Sequence, residues 1–182
     1  MKNVKIFLTG PPRVGKTTIL LKVISELKKR GYRVGGMISK EVRERGRRVG
    51  FEILDILSGK KGILAWKGAS YKGPRVGSYV VNLEDLENIG VKAIIQAIEQ
   101  CDLIVIDEVG KMELFSQKFI EAVHRAVKTN KSVLGTVHLR SNHPLARSIR
   151  QGVLDGIKLR VFYVTYANRN SLPSIILKEL IE

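Results

Sequence analysis

The chain has 182 residues, 44% of them hydrophobic, which is enough to bury the core of one globular domain but leaves little room for a second. No stretch approaches the roughly 20 apolar residues of a membrane-spanning helix, and the apolar run at the start is too short for a secretory signal. Because Cys101 is the only cysteine, an internal disulfide and a cysteine-based metal cluster are both excluded. We therefore expect a cytoplasmic protein whose residues 1–182 form a single domain.

The charge balance is strongly basic. Thirty-two Lys and Arg residues against 17 Asp and Glu residues produce a formal net charge of +15, which attracts phosphate-bearing ligands and polyanions. Nucleic acid is one such polyanion. However, the basic residues are scattered over every segment without a stripe of interleaved aromatic residues, and this distribution equally suits an ion-pair-rich surface of the thermophile type. Nucleic-acid binding is thus possible but not favoured.

Apolar runs of strand length alternate with helical patterns along the first half of the chain. Residues 4–9 are apolar without polar alternation, as expected of a strand buried on both faces. In residues 16–30 the apolar side chains fall on one helical face, and Gly31 follows as a stop signal. From Arg33 to about Trp66 the pattern changes to strands with turn signals, which predicts a hairpin or meander added to the main sheet.

The alternation continues in the second half of the chain. Residues 75–83 predict a short strand, and Asn82 can cap the helix that runs from there toward Gln100. Further predicted elements are a strand over residues 102–108, a helix over 116–129, strands over 132–137 and 158–165, and a helix beginning at Ser171. Together these elements predict an α/β fold in which helices cover both faces of a mostly parallel sheet.

The segment GPPRVGKT, residues 10–17, fits the pattern G-x-x-x-x-G-K-[ST] at every fixed position and lies between the first strand and the first helix. Backbone amides and the helix dipole converge on phosphate groups in such a loop. Lys16 is expected to reach the β- and γ-phosphates of a nucleotide, and the Thr17 hydroxyl to ligate Mg²⁺. The predicted nucleotide-binding residues of the loop are Gly10, Pro11, Pro12, Arg13, Val14, Gly15, Lys16, Thr17 and Thr18.

Three residues of this loop are unusual for a phosphate site. Pro11 and Pro12 have no amide hydrogen, but they precede the amides that do most of the phosphate binding, so they remove little and stiffen the turn. Arg13 occupies a position where the backbone curls tightly, and an L-residue there carries a conformational cost if its φ is positive. We expect Arg13 to be tolerated, with its side chain contacting a phosphate, an acidic neighbour or solvent.

A second chemical element is LIVIDE, residues 103–108, in which four apolar residues precede two acids. The carboxyl end of a buried strand is where ligands of open α/β sheets bind. We expect Asp107 to hold the Mg²⁺ shell and Glu108 to orient or deprotonate an attacking water. Many buried strands end in an acid, so this pattern alone is a weak indication of a site. Together with the phosphate-binding loop upstream, it predicts a nucleotide-binding site. The second acid favours a hydrolase over a nucleotide switch.

Several longer segments are more specific than the phosphate loop. They are EVRERGRRVGFEI (41–53), RVGSYVV (75–81), IDEVGKMELFS (106–116), LGTV (134–137), HPLA (143–146) and VTYANRN (164–170). With FLTGPPRVGKTT, they make the chain resemble, nearly end to end, the small P-loop nucleoside-triphosphatase family of archaea, thermophilic bacteria and animals. The human member of that family is called cancer-related nucleoside-triphosphatase.

The resemblance implies a reaction and a core. The reaction is slow, Mg²⁺-dependent hydrolysis of nucleoside 5′-triphosphates to diphosphate and phosphate, with several bases tolerated. The core is a RecA-like P-loop sheet in which the strand beginning at Ser132 lies between the strand of the phosphate loop and the strand of Asp107. Two departures from the family pattern, Arg13 for the usual glycine and His138 for a common proline, affect substrate fit and rate rather than reaction class.

The resemblance also assigns site residues. The roles given above to Lys16, Thr17 and the acidic pair carry over unchanged, so that Lys16 and Glu108 are the first catalytic candidates. Lys111, in DEVGKME, is added as a source of positive charge for the transferring phosphoryl group. Thr136, near the end of the middle strand, is expected to face the γ-phosphate.

Two further groups have an ordinary interpretation beside the functional one. Arg43, Arg47 and Arg48 lie around a predicted turn, where charged residues are usually solvated. Their match to the family motif supports, to the same degree, a role in which one of them reaches over the nucleotide as an arginine finger in cis. Asn168 and Arg169 follow the last strand on the ligand side of the sheet. They are expected to contact the base or ribose, although residues of this kind also cap helices.

Two other functions stay open at this stage. A P-loop kinase uses the same loop but needs an acceptor pocket and usually an arginine-bearing lid, which the hairpin at Arg43 resembles. A nucleic-acid-associated NTPase module is motivated by the +15 charge. Glu108 favours hydrolysis, because an acid beside Asp107 suits the activation of an attacking water. The preferred base and the oligomeric state are left open, and a monomer is compatible with the sequence.

Overall fold

The computed structural model describes residues 1–182. The strands are β1 (Lys5–Thr9), β2 (Val34–Glu44), β3 (Arg47–Asp55), β4 (Lys61–Lys67), β5 (Arg75–Val76), β6 (Tyr79–Val81), β7 (Leu103–Val109), β8 (Ser132–Val137), β9 (Val153–Leu154), β10 (Ile157–Lys158) and β11 (Arg160–Tyr163). The helices are α1 (Lys16–Lys29), α2 (Leu83–Asp85), α3 (Lys92–Gln100), α4 (Gln117–Lys128), α5 (Pro144–Arg150) and α6 (Leu172–Ile181). A π-helical segment (Leu86–Val91) joins α2 to α3, and a 3₁₀ turn (Glu113–Phe115) precedes α4.

Nine strands form one sheet in the order β11-β1-β8-β7-β2-β3-β4-β6-β5. The pairings from β11 to β2 are parallel, whereas those from β2 through β5 are antiparallel. Strand β8 lies between β1 and β7, as the family resemblance implies. The predicted α/β fold, a RecA-like parallel sheet with an added meander, is therefore confirmed.

Helices cover both faces of the parallel part because its strands are apolar on both sides. In β1, Ile6 and Leu8 belong to the core under α1 and α6, while Phe7 belongs to the core under α3, α4 and α5. Strand β7 divides in the same way, with Val105 on the first face and Ile106 on the second. A continuous apolar run is the pattern that such a doubly covered strand requires.

Strand β2 extends past the carboxyl edge of the parallel sheet. Its Ile38 lies opposite Asp107 on β7, and the strand continues for six residues to Glu44 before turning into β3. At about 3.3 Å per residue, this extension carries the β2–β3 turn roughly 20 Å beyond Asp107. The hairpin predicted from the sequence therefore projects on the side of the sheet where ligands of α/β folds bind.

The structure differs from the predicted elements in several places. The strand predicted over residues 158–165 divides into β11 of the main sheet and β10, which pairs with the unpredicted β9 in a separate two-stranded sheet. The segment predicted as one strand over residues 75–83 forms two short antiparallel strands, β5 and β6. The helix toward Gln100 begins as expected, since the Asn82 side chain accepts a hydrogen bond from the Asp85 amide at 3.0 Å, but it passes through the π-helical segment. Helix α5 was not predicted at all. A helix with the length and apolar composition of a membrane span does not occur in the structure.

Candidate nucleotide-binding site

The phosphate-binding loop connects the end of β1 to the first residue of α1, as predicted. Gly10 and Gly15 have φ values of 152° and 111°, which favour glycine. A Cβ at Gly10 would lie 2.8 Å from the Val164 carbonyl oxygen, so a larger residue would push the loop away from the neighbouring chain segment. Helix α1 has no side-chain cap and no acid in its first turn, which leaves its first amides to a ligand.

Arg13 has the left-handed conformation that its position in the loop suggests, with φ of 63°. Its side chain is 61% exposed and its Nε lies 3.9 Å from Glu41 Oε1. Of the three partners expected for this residue, the structure therefore shows the acidic neighbour. The contact joins the phosphate-binding loop to the projecting β2–β3 hairpin.

Lys16 and Thr17 begin α1 and point into the loop. Lys16 Nζ donates to the carbonyl oxygens of Gly10 at 2.9 Å and Pro11 at 3.1 Å. Burial lowers the pKa of Lys16, while the nearby charges of Glu108 and Asp107 raise it. Thr17 Oγ1 donates to Asp107 Oδ2 at 2.8 Å. The loop and the acidic end of β7 are thus in direct contact.

Asp107 is held from two sides in a buried position. Only 3% of this residue is exposed, and burial raises the pKa of its carboxyl group, against hydrogen bonds from Thr136 and Thr17 and the charge of Lys16. Thr136 Oγ1 donates to Asp107 Oδ1 at 2.6 Å. Thr136 is fully buried and its hydroxyl is bonded to Asp107, so its expected position facing the γ-phosphate stays a prediction.

Glu108 lies beside Asp107 and is less deeply buried. Burial and the charge of Asp107 raise its pKa to about 7, and the charge of Lys16 acts in the opposite direction. A carboxyl group with this pKa changes its protonation state near neutral pH, as a general base for water requires. The peptide bond between the two acids is cis.

A third acid, Glu113, was not singled out from the sequence. It is 4% exposed, and burial together with the charge of Glu108 raises its pKa well above the ordinary value. A Cβ at Gly110 would lie 2.7 Å from Glu108 Oε1 and 2.9 Å from Glu113 Oε2, so both carboxyl groups pack against the same glycine. The only signal in the sequence was its place inside IDEVGKMELFS.

Lys111 is exposed on the turn that follows β7. His138, at the end of β8, lies near enough to be affected by it: burial lowers the pKa of His138, and the charges of Lys111 and Lys16 lower it further. Arg150 Nη1 donates to the His138 carbonyl oxygen at 2.7 Å and ties this chain segment to α5. Lys111 and Lys16 thus both lie at the carboxyl edge of the sheet.

Two arginines of the β2–β3 hairpin form ion pairs with Glu41. Arg43 and Arg48 contact its two carboxylate oxygens at 3.1 and 3.0 Å. Arg48 also donates to the Tyr79 hydroxyl at 2.8 Å and lies over the rings of Phe51 and Tyr79. Partial burial would raise the pKa of Glu41, but hydrogen bonds from Arg48 and Arg43 and the charge of Arg13 lower it.

Among the three arginines predicted for the hairpin, the structure separates one from the other two. Arg47 is exposed at the beginning of β3 and makes none of the contacts to Glu41. Arg43 and Arg48 are already paired, and Arg43 also donates to the Gly46 carbonyl oxygen at 3.1 Å. The arginine finger in cis therefore stays a prediction.

Asn168 and Arg169 lie in the connection between β11 and α6. The Asn168 carboxamide is used within this connection, accepting from the Thr165 amide and donating to the Tyr163 carbonyl oxygen, both at 2.8 Å. Arg169 reaches the phosphate-binding loop, where its Nη1 donates to the Val14 carbonyl oxygen at 3.4 Å. The structure thus brings Arg169 to the site, whereas Asn168 shapes the backbone.

Comparisons with known proteins cover almost the whole chain. The model of a family described as NTPase matches residues 5–177. A nucleoside-triphosphatase THEP1 of Thermofilum pendens is 44% identical over 95% of this chain and 93% of its own length. The THEP1 protein of Methanopyrus kandleri is 43% identical over 97% and 95%.

Two solved structures have the same fold. THEP1 from Aquifex aeolicus superposes with a TM-score of 0.83 at 34% identity, covering 98% of this chain and 100% of that one. A human cancer-related nucleoside triphosphatase superposes with a TM-score of 0.79 at 39% identity, covering 100% and 98%. From the family match, the identities and the shared fold, we conclude that the chain belongs to the NTPase family.

Proposed function

We propose that residues 1–182 form a single domain that hydrolyses nucleoside 5′-triphosphates to nucleoside diphosphates and phosphate, with Mg²⁺ and with several bases tolerated. The relatives named nucleoside-triphosphatase support the reaction class. Slow turnover is expected, because Arg43 and Arg48 of the β2–β3 hairpin are paired with Glu41 rather than free to contact a phosphate.

One observation carries this proposal. Thr17, the last residue of the phosphate-binding motif, donates to Asp107 at 2.8 Å, although 90 residues separate them in the chain. The two elements that P-loop hydrolysis requires therefore meet in one place. Glu108 follows Asp107 directly, and its pKa is influenced by Lys16, so the proposed base lies in the electrostatic field of the same site.

The residues present fit a magnesium ion. Mg²⁺ prefers oxygen ligands and is usually held by one or two protein groups together with substrate phosphates. The Thr17 hydroxyl and the Asp107 carboxylate supply two such oxygens 2.8 Å apart, and the second Asp107 oxygen is oriented by Thr136. Bound there, the ion would neutralise charge on the β- and γ-phosphates.

The remaining chemistry belongs to the side chains. Lys16 binds the β- and γ-phosphates, exchanging its contacts to two loop carbonyl oxygens for the substrate. Glu108 accepts a proton from the attacking water as the water oxygen bonds to the γ-phosphorus and the bond to the bridging oxygen breaks. Lys111, on the turn after β7, adds positive charge near the transferring group.

Phosphate release from ATP, GTP, CTP and UTP, each with and without candidate phosphate acceptors, tests the reaction class. Release from several nucleotides without any acceptor is expected. If turnover depends on an acceptor and the phosphate is found on it, the protein is a kinase, and the β2–β3 hairpin would then be the lid of that kinase. No turnover under either condition would overturn both assignments.

A pair of variants tests the assigned roles. Glu108→Gln preserves shape but cannot accept a proton, so it should bind Mg-ATP normally and lose about 10²- to 10⁴-fold in turnover. Lys16→Ala should weaken both binding and turnover, because it removes a ground-state phosphate contact. An unchanged rate in Glu108→Gln would refute its role as the base.

A further inference from the structure

The connection between β11 and α6 lies against the phosphate-binding loop. The Val164 amide donates to the Thr9 carbonyl oxygen at 2.8 Å, directly before Gly10, and the close approach of Gly10 to the Val164 carbonyl leaves no room for a side chain. Residues 165–171 therefore begin beside the first residue of the phosphate-binding motif and end where α6 begins.

This connection is held in shape by its own hydrogen bonds. Besides the two bonds of the Asn168 carboxamide, the Asn168 carbonyl oxygen accepts from the Ser171 hydroxyl at 2.9 Å and from the Ser171 amide at 3.0 Å. A loop fixed in this way presents its remaining side chains in defined positions. Those side chains include Tyr166 and Arg169.

Tyr166 is the most exposed of the large hydrophobic residues, at 69%. The guanidinium carbon of Arg169 lies 4.9 Å from the centre of its ring. Arg169 also donates to Val14, and its Cδ would lie 3.7 Å from a Cβ at Gly15. One arginine side chain therefore connects an exposed aromatic ring to the phosphate-binding loop, while most of the ring surface remains open to solvent.

We propose that Tyr166 and Arg169 form the platform on which the base of a bound nucleoside triphosphate stacks. This assignment rests on the proposed function, because it takes the triphosphate to lie in the loop. The platform then lies one side chain away from the phosphate-binding loop, because Arg169 contacts both that loop and the Tyr166 ring. An exposed ring with a guanidinium on it offers a flat, polarisable surface of the kind on which nucleobases stack.

Stacking also explains why the site would accept several different bases instead of selecting one. Every nucleobase has a π-face, so a platform of this kind does not distinguish one base from another by hydrogen bonds. Asn168, which lies between the two platform residues in the sequence, is not free to bind a base edge, because both ends of its carboxamide are bonded to backbone groups. Purines, with their larger rings, are expected to lose more than pyrimidines when the platform is removed.

The test compares nucleotide and inorganic ligands in four proteins: the unaltered chain, Tyr166→Ala, Tyr166→Phe and Ile175→Ala. Ile175, 42% exposed on α6, controls for loss of an exposed apolar side chain beyond the platform. Calorimetry and KM measurements use ATP, GTP, CTP and UTP, and inorganic tripolyphosphate serves as a competitor that has phosphates but no base.

Tyr166→Ala is expected to weaken nucleotide binding and raise KM roughly 5- to 150-fold, the range that corresponds to loss of one base–aromatic stack. Its kcat and the inhibition constant of tripolyphosphate should stay unchanged. Tyr166→Phe and Ile175→Ala should behave like the unaltered chain, since both keep the ring that stacks.

Two results would overturn the platform. One is an unchanged KM in Tyr166→Ala, and the other is an equal weakening of tripolyphosphate and nucleotides, which would indicate distortion of the phosphate-binding loop. Failure of the proposed function is distinct from either, because the unaltered chain would then neither bind nor hydrolyse any of the four nucleotides.

Discussion

Replacing Thr136 by valine removes one hydroxyl from the site and keeps the side-chain shape. That hydroxyl donates to Asp107 Oδ1 at 2.6 Å, inside a region where Thr136 is fully buried and Asp107 is 3% exposed. A hydrogen bond to a charged group contributes about 1.5–3 kcal/mol. The variant therefore leaves a buried carboxylate oxygen without its donor.

The expected consequence is weaker binding of Mg²⁺. Burial already raises the pKa of Asp107, and the Thr136 hydrogen bond acts against this rise. Without it the carboxyl group retains its proton to higher pH, whereas it must be ionised to bind a cation. Loss of a partner that orients a metal ligand typically costs about 10- to 100-fold in affinity. The effect should be larger in mildly acidic than in mildly alkaline buffer.

The assay is phosphate release measured across a series of Mg²⁺ concentrations. Thr9→Val is the matched control, because Thr9 is also buried and donates to the Val137 carbonyl oxygen at 3.0 Å, without contact to Asp107. Its loss should lower the free energy of unfolding by about 0.5–1.5 kcal/mol and leave the Mg²⁺ dependence unchanged. If Thr136→Val and Thr9→Val require the same Mg²⁺ concentration for half-maximal rate, the positioning role of Thr136 is refuted.

Three further predictions follow from burial and backbone geometry. Burial and the charge of Asp107 raise the pKa of Glu108 to about 7. As pH is lowered through that value, Glu108 takes up a proton and cannot act as a base, so kcat/KM should fall. A flat profile of kcat/KM across neutral pH would contradict this. Burial raises the folded-state pKa of Glu113, so its contribution to stability is fully present below the ordinary glutamate pKa and is lost as pH rises toward the folded-state value. In denaturant unfolding, Glu113→Gln should therefore gain stability relative to the unaltered chain as pH rises from acidic to neutral. An equal difference in unfolding free energy between the two proteins at both pH values would contradict this. Gly36→Ala should lower the free energy of unfolding by at least about 3 kcal/mol or prevent folding, since φ is 109° and a Cβ would lie 2.0 Å from the Val105 carbonyl oxygen. Gly46→Ala, in open space at φ 75°, should lower it by only about 1–2 kcal/mol. Similar unfolding midpoints for the two variants would disprove the clash.

The parts of the fold that the sequence predicts well are those with a local pattern. Strands β1 and β7 are unbroken apolar runs, and the phosphate-binding loop has residues at fixed spacing. Helix α5 has neither feature, since it is seven residues long and buries only three of them. Its beginning is marked by His143, which accepts from the Leu145 amide, and by Pro144 in the first turn, a weak signal in a polar segment.

The parts of the site that could not be predicted depend on contacts between distant segments. That Thr136 donates to Asp107 follows from the pairing of β8 with β7 and from the direction of one hydroxyl group. Asn168 has a side chain suited to reading a base, but the backbone of its own loop uses both ends. Glu113 has the local sequence of a surface acid, but the turn after β7 places its side chain in a buried position against Gly110.

Three guanidinium groups meet on the Glu41 carboxylate beside the phosphate-binding loop. Arg13, Arg43 and Arg48 all approach this one acid, which neutralises a single charge and leaves two positive charges in excess at the rim of the site. An excess of this kind draws in polyanions over a range set by the Debye length, about 8 Å at physiological salt, and fades as salt is added. We therefore expect these three arginines to affect the rate at which a nucleotide is captured more than the time for which it stays bound.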